Sequence, residues 1–192
     1  MAADAVVILM FYFVIPLWLL AGVADWICHR ASDIQHTTGA KESIIHLLMF
    51  AEAGTALTAA LFFEINALII AVIIAMFALH EATGWWDIHY ASTRREITHY
   101  EQHAHSFLEV TPLMAALLVI VLHWGQFLAL FGQGSEAPRF ALELKSPPLP
   151  LALSLGTMAA AFLLEILPYL EELWRCLRAT GAKLVPDKPV KN

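Results

Sequence analysis

Between residues 80 and 109 the chain reads HEATGWWDIHYASTRREITHYEQHAHSFLE, with five histidines and five carboxylates in one stretch. Upstream, DWICH carries Asp25 and His29, and ESIIH carries Glu42 and His46. Side chains four apart share a helix face, so each acid–imidazole pair can present two donors to one volume. In the long stretch, His80 and Asp87 lie seven apart, His99 and His103 four apart, and Glu101, His105 and Glu109 at intervals of four. Imidazole with carboxylate, and no thiolate cluster, suits iron, zinc or manganese better than copper(I) or an iron–sulfur centre. A single zinc takes three or four ligands. The candidates here exceed that and are enough for two metal ions about 3.5–4 Å apart. The string EITH, Glu96 to His99, also has the Glu-x-x-His spacing of soluble di-iron bundles.

These groups sit in a strongly apolar chain. Of 192 residues, 59% are hydrophobic and 15% charged, against about 25% charged in soluble domains. Mean hydropathy is +0.67. This composition predicts an all-α, polytopic membrane bundle. A span needs about 20 apolar residues, and five stretches meet that: 5–24, 44–63, 66–83, 107–131 and 149–170. The first is too long for an ordinary signal-peptide core, lacks a basic segment before it, and is read as a retained helix kinked at Pro16. Residues 1–170 form one domain, and 171–192 form a polar tail that ends frayed. A net charge of −6 argues against nucleic acid as a partner. Cys28 and Cys176 form no close pair and are expected as free thiols.

Nine of the eleven basic residues fall on one side of this topology, and Arg139 and Lys145 fall on the other. The excess marks the cytoplasmic side, with the N-terminus outside and the C-terminus inside. Arg94 and Arg95 read as anchors of that kind, and Trp85, Trp86, Tyr90 and Tyr100 as an interfacial aromatic belt. The inner ends of the first four helices then carry Asp25, His29, Glu42, His46, His80, Asp87, His103 and His105, the expected metal ligands. Glu81, Glu101 and Glu109 are expected to orient imidazoles, with Glu81 and Glu101 as candidate catalytic carboxylates. Glu52 and Glu165 pair with each other or with histidines, and His123 is a packing histidine. Ionisable groups inside a bilayer persist when they are paired or bind something.

Two resemblances extend this reading. DWICHR, GAKESIIHLL, HEATGWWDIHYAS and EQHAHSFLE are similar to strings in a family of short bacterial inner-membrane proteins, over residues 25–109. That resemblance implies a site at Asp25, His29, Glu42, His46, His80, Glu81, Asp87, Glu101, His103 and His105. His89 and His99 fall off it, which removes the support of EITH. More distantly, the architecture resembles membrane di-iron enzymes of the fatty-acid hydroxylase and desaturase type, although their HxxxH and HxxHH boxes are replaced here by DxxxH, ExxxH and HxH. This second resemblance implies oxygen activation on a lipid-like substrate, with electrons from a soluble carrier. A zinc-dependent lipid hydrolase, similar to membrane ceramidases and using Glu81 as base, is the alternative. A non-catalytic metal- or haem-binding bundle is a third.

Overall fold

Five long apolar stretches become five long helices in the computed structural model, which describes residues 2–187. They are α1 (Asp4–Ala31), α2 (Ala40–Phe62), α3 (Ala67–Ser92), α4 (His99–Leu122) and, after the short helix α5 (Trp124–Leu130), α6 (Leu151–Ala179). All five are long and apolar enough to cross a membrane, and among the described residues there is no β-strand. The last helix continues past residue 170 to Ala179, so Glu172 and Cys176 belong to it and are buried. Lys188 to Asn192, including the end of the expected frayed tail and two of the basic residues that bear on orientation, lie outside the described residues.

Two helices carry a π-turn, and each has the same cause. Pro16 follows the π-turn Met10–Val14, and Pro168 follows Phe162–Ile166. A proline inside a helix lacks an N–H donor and its ring presses on the carbonyl four residues back. A single wider turn relieves that pressure. In α6 the wider turn includes Glu165, whose carboxylate lies over Gly22 of α1, where a Cβ would overlap it.

The distribution of residues is inverted relative to a soluble bundle. Leu20, Ile27, Leu48, Leu79, Leu117 and Leu163 face outward, while Asp25, His29, Glu42, Glu101, Glu165 and Glu172 are almost fully buried. In a bilayer, hydrocarbon would solvate the first set, and the second would have to be satisfied internally. At the end where α2 stops, Ile69, Ile70, Ile73, Val119 and Ile120 form a dry core. The loop there closes the bundle by hydrogen bonds. Lys145 Nζ donates to the Ala60 and Phe63 carbonyls, both at 2.7 Å, and thereby caps α2. Burial lowers the pKa of Lys145, with Glu64 opposing the shift. Burial, and then the charge of Lys145, likewise hold His123 below the usual imidazole range. Midway along the bundle, Trp18, Phe50, Leu108 and Tyr169 pack together. Beyond them lie the polar groups.

At that polar end, cations lie on aromatic rings: Arg30 on Trp26, Lys41 on Trp86 and on the buried Tyr90, Arg178 on Trp174. Such pairs suit a membrane–water boundary. The segment before α2 is tied down as well. Tyr90 Oη donates to the Thr38 carbonyl at 2.6 Å, and Lys41 N donates to the Leu184 carbonyl at 2.9 Å. Gly39 has φ +75°, and a side chain there would strike Pro186.

The close approach of α1 and α6 gives a measurable consequence. Gly22→Ala should lower thermal stability in detergent by about 1–3 kcal/mol, as overpacking does. Gly54→Ala, where a Cβ meets open space, should not lower it. Equal behaviour of the two variants would contradict the Gly22–Glu165 contact.

Candidate metal centre

Helical spacing brings donors from five helices to one end of the bundle. Asp25 and His29 project from successive turns of α1, Glu42 and His46 from successive turns of α2, and Glu101 and His105 from successive turns of α4. Asp87 comes from α3. In α6 the inner stripe is Glu165, Tyr169, Glu172 and Cys176, at intervals of four, three and four, all of them buried. One atom each of Asp25, His29, His46 and His105 lies within 4.8 Å of the others, and the same holds for His29, Glu42 and Glu101. These buried groups can hold a metal ion.

In the first group, Asp25 is central. Its Oδ1 is 2.9 Å from His105 Nε2, and its Oδ2 is 3.1 Å from His46 Nε2 and 3.5 Å from His29 Nε2. None of these contacts is aligned as a hydrogen bond: Asp25 Oδ1 and the three Nε2 atoms are all buried without a hydrogen-bond partner. The other side of each group is held. Tyr169 Oη donates to Asp25 Oδ2 at 2.7 Å. His46 Nδ1 lies 3.1 Å from the Glu42 carbonyl, which only accepts, so Nδ1 is the donor and Nε2 presents its lone pair to the cluster. His29 Nδ1 lies 3.2 Å from Glu172, whose other oxygen accepts from Ser43 Oγ at 2.8 Å. A proton fixed on one ring nitrogen with the other left bare is the usual arrangement of metal-ligating histidines.

In the second group a cation is already present. Arg95 donates to Glu42 Oε1 at 2.6 Å and to Glu101 Oε2 at 2.8 Å, and its Nη2 also binds Glu101 Oε1. His29 Nε2 is 3.6 Å from Glu42 and 3.7 Å from Glu101. Burial works against the Arg95 charge, but its hydrogen bonds to Glu101 and the charge of Glu42 outweigh this and raise its pKa above the ordinary arginine value. Even so, five buried carboxylates (Asp25, Glu42, Asp87, Glu101 and Glu172) stand against two guanidiniums, Arg95 on Glu42 and Glu101 and Arg175 at 3.9 Å from Glu172. With neutral imidazoles, an excess of three negative charges remains. Burying charge without a partner costs several kcal/mol per ion, and divalent cations reverse that penalty.

The expected ligands separate in space. Asp25, His29, Glu42, His46 and His105 meet in the cluster. Glu101 does too, with its carboxylate among the candidate ligand atoms and gripped by Arg95. Asp87 is next to it, 3.6 Å from His46 Nδ1. His80 is buried but is turned aside, with Nδ1 donating to the Met49 carbonyl at 3.3 Å. It joins His46, Asp87, His105 and Glu109 around a cavity of about 30 Å³. Glu81 is half-buried and outside the cluster. His103 does not reach it. Residues two positions apart on a helix point about 200° away from each other, so an inward His105 turns His103 outward, where its ring meets Phe107. His89 and His99 are also exposed. Glu52 accepts from Thr83 at 2.9 Å and does not pair with Glu165.

Four participants were not among the expected site residues: Arg95, Tyr169, Glu172 and Ser43. Arg95 has no local mark that separates it from Arg94. Glu172 and Tyr169 did have a signal, since they continue the stripe begun by Glu165 at helical spacing. Comparison with protein families, with curated proteins and with solved structures yields no match for this chain.

Removing the guanidinium isolates the cluster's charge. Arg95→Met should destabilise the metal-free protein by about 3–5 kcal/mol, the scale for breaking a buried ion pair from one side. Arg95→Lys should cost less, and added Mn²⁺ or Zn²⁺ should recover part of the loss. Thermal unfolding in detergent, with and without cation, reads this directly. Equal melting of wild type and Arg95→Met would contradict it.

Proposed function

We propose that this protein is a membrane-embedded, metal-dependent oxidoreductase. Its cluster would hold two divalent ions, iron foremost, with zinc and manganese as the other metals this donor set suits. The observation that carries the reading is a coincidence: the buried polar atoms without hydrogen-bond partners include one donor from each of Asp25, His29, His46 and His105, the same residues that converge on one point. Such atoms are rare in native proteins unless something binds them. Divalent cations would offset the excess of negative charge there. The first ion would take Asp25, His46 and His105 with His29, and the second would share the oxygens of Glu42 and Glu101 with Arg95.

Bound iron would supply oxygen activation and electron transfer. The chain's own residues hold the ligands in place. Glu172 and Ser43 fix the His29 tautomer, the Glu42 carbonyl fixes that of His46, and Tyr169 orients Asp25. An apolar cavity of about 100 Å³, lined by Trp18, Met76, Phe77, Thr111 and Pro112, reaches His80. His80 also borders the small cavity beside His46 and His105, so a hydrophobic substrate held in the apolar cavity would stand close to the cluster. The basic bias and the ring–cation pairs at this end support a cytoplasmic orientation, in a bacterial inner membrane as the resemblance implies. A soluble electron donor would dock there.

One observation favours a second reading. Arg95 already neutralises part of Glu42 and Glu101, which leaves three imidazoles and Asp25, of which three would hold one zinc and leave its fourth position to water. That would make the protein a lipid hydrolase using a zinc-bound water.

Metal analysis of gently purified protein separates these readings. About two irons per chain are expected on the first and about one zinc on the second. No stoichiometric metal would sink both. Asp25→Ala and His46→Ala should abolish binding, His103→Ala should leave it intact, and Glu172→Gln should weaken it about 10–100-fold.

A further inference from the structure

The basic residues of the polar end differ in how their charge is met. Arg30 pairs with Glu171, Arg175 with Glu171 and Glu172, Lys183 with Asp187, and Arg95 with the cluster. Arg178 has no such partner but stands alone on Trp174. Lys41 and Arg94 also have no carboxylate partner among the described residues, and they meet on one ring. Lys41 Nζ stands 4.4 Å from the centroid of Tyr90 and 5.6 Å from that of Trp86, and Arg94 Cζ stands 5.3 Å from the centroid of Tyr90. The Tyr90 ring is fixed by its hydroxyl bond to the Thr38 carbonyl and by packing on Ile45 and Met49. Of the acids near these two cations in the chain, Glu42 binds Arg95 and Glu96 is exposed, forming an ion pair with neither cation.

A ring face attracts a cation but accepts none of its ordinary hydrogen bonds. The half-exposed Lys41 and Arg94 side chains donate no hydrogen bond to another described residue, so their N–H groups remain available to an anion. Next to them the same surface turns apolar. On α2, Ile44 and Leu48 follow Lys41 at intervals of three and four, and both are exposed. On α3, Leu79 and Trp86 lie seven apart and are also exposed. Residues at these spacings share a helix face. The outer side of the α2–α3 pair therefore carries two unpaired cations at the polar end and an apolar stripe running from them toward the middle of the bundle.

We propose that this surface binds an anionic phospholipid, its phosphate meeting Lys41 and Arg94 and an acyl chain lying along Ile44 and Leu48. A phosphate brings negative charge and several acceptor oxygens, which an ammonium and a guanidinium can share. Basic groups at the end of a membrane helix attract anionic head groups in this way. A zwitterionic lipid would bring its own cation to the two already there. A soluble phosphate would satisfy the cations and leave the apolar stripe uncovered. The site rests on the membrane placement of the bundle and is independent of the metal reading.

The test is thermal unfolding of the full chain in non-ionic detergent, titrated with phosphatidylglycerol or with phosphatidylcholine of the same acyl chains. Phosphatidylglycerol is expected to raise the melting temperature, as a ligand of the folded state does, and phosphatidylcholine is not. Lys41→Gln and Arg94→Gln should each weaken the phosphatidylglycerol response about fivefold. Lys41→Arg, which keeps the charge, should retain it, and so should Arg178→Gln. Inorganic phosphate at the same concentration should have no effect. Metal-stripped protein should respond as the metal-loaded protein does, and the two glutamine variants should keep their metal content, so failure here is distinct from failure of the metal centre. A response unchanged in the Lys41→Gln/Arg94→Gln double variant, or matched by phosphatidylcholine, would overturn the site. A response matched by inorganic phosphate would overturn the lipid assignment.

Discussion

Carboxylates repel one another most strongly where water cannot screen them, and this fold concentrates five of them between apolar helices. Asp25, Glu42, Asp87, Glu101 and Glu172 are each almost wholly buried. The arrangement around them is a set of answers to that repulsion. Arg95 leaves the surface and forks between Glu42 and Glu101. Ser43 donates to Glu172, and Tyr169 donates to Asp25. Three imidazoles stand among the acids. Arg95, Arg175 beside Glu172 and a few neutral donors do not balance the charge of five carboxylates, and the bare Nε2 atoms point into the same space as the acids. That residue of unmet charge and unmet lone pairs is why a cation-binding centre is the simplest account of the bundle's polar end.

The backbone serves this centre at some distance. Prolines 16 and 168 each sit just past a π-turn, and the second widens α6 so that Glu165 lies over Gly22. Tyr169 and Glu172 follow on the same face and reach Asp25 and His29. A side chain at position 22 would displace the Glu165 carboxylate that lies over it. At the opposite end the dry isoleucine–valine core and the Lys145 cap hold α2, α3 and α4 together. The bundle is therefore held by apolar packing at one end and by charge at the other.

The two larger cavities divide the interior chemically. The one reaching His80 leads toward the cluster, whereas none of the residues that converge in the cluster lines the other, which runs between α2 and α6. The second lies beside the N-terminal half of α6, whereas no α6 residue lines the first. In that half of α6, Leu151–Ala161, Ser154 is the buried residue.

The sequence by itself determined five apolar helices and the sharing of a face by Asp25 and His29, by Glu42 and His46, and by Glu101 and His105. Hydrophobic length and the 3.6-residue repeat are local properties, so they can be read without the fold. It also placed these pairs at neighbouring helix ends, because the alternation of short connections leaves no other arrangement in a membrane. Only the tertiary structure decided which members face inward. His103 and His105 are indistinguishable as types, and the rotation of α4 about its axis selects one. Only the tertiary structure brought in Arg95, which looks like any interfacial arginine until Glu42 and Glu101 close around it. Glu172 was reached only by following α6 beyond its apolar run. Axial rotation and long-range charge pairing depend on contacts between segments distant in the chain, and no local pattern encodes them.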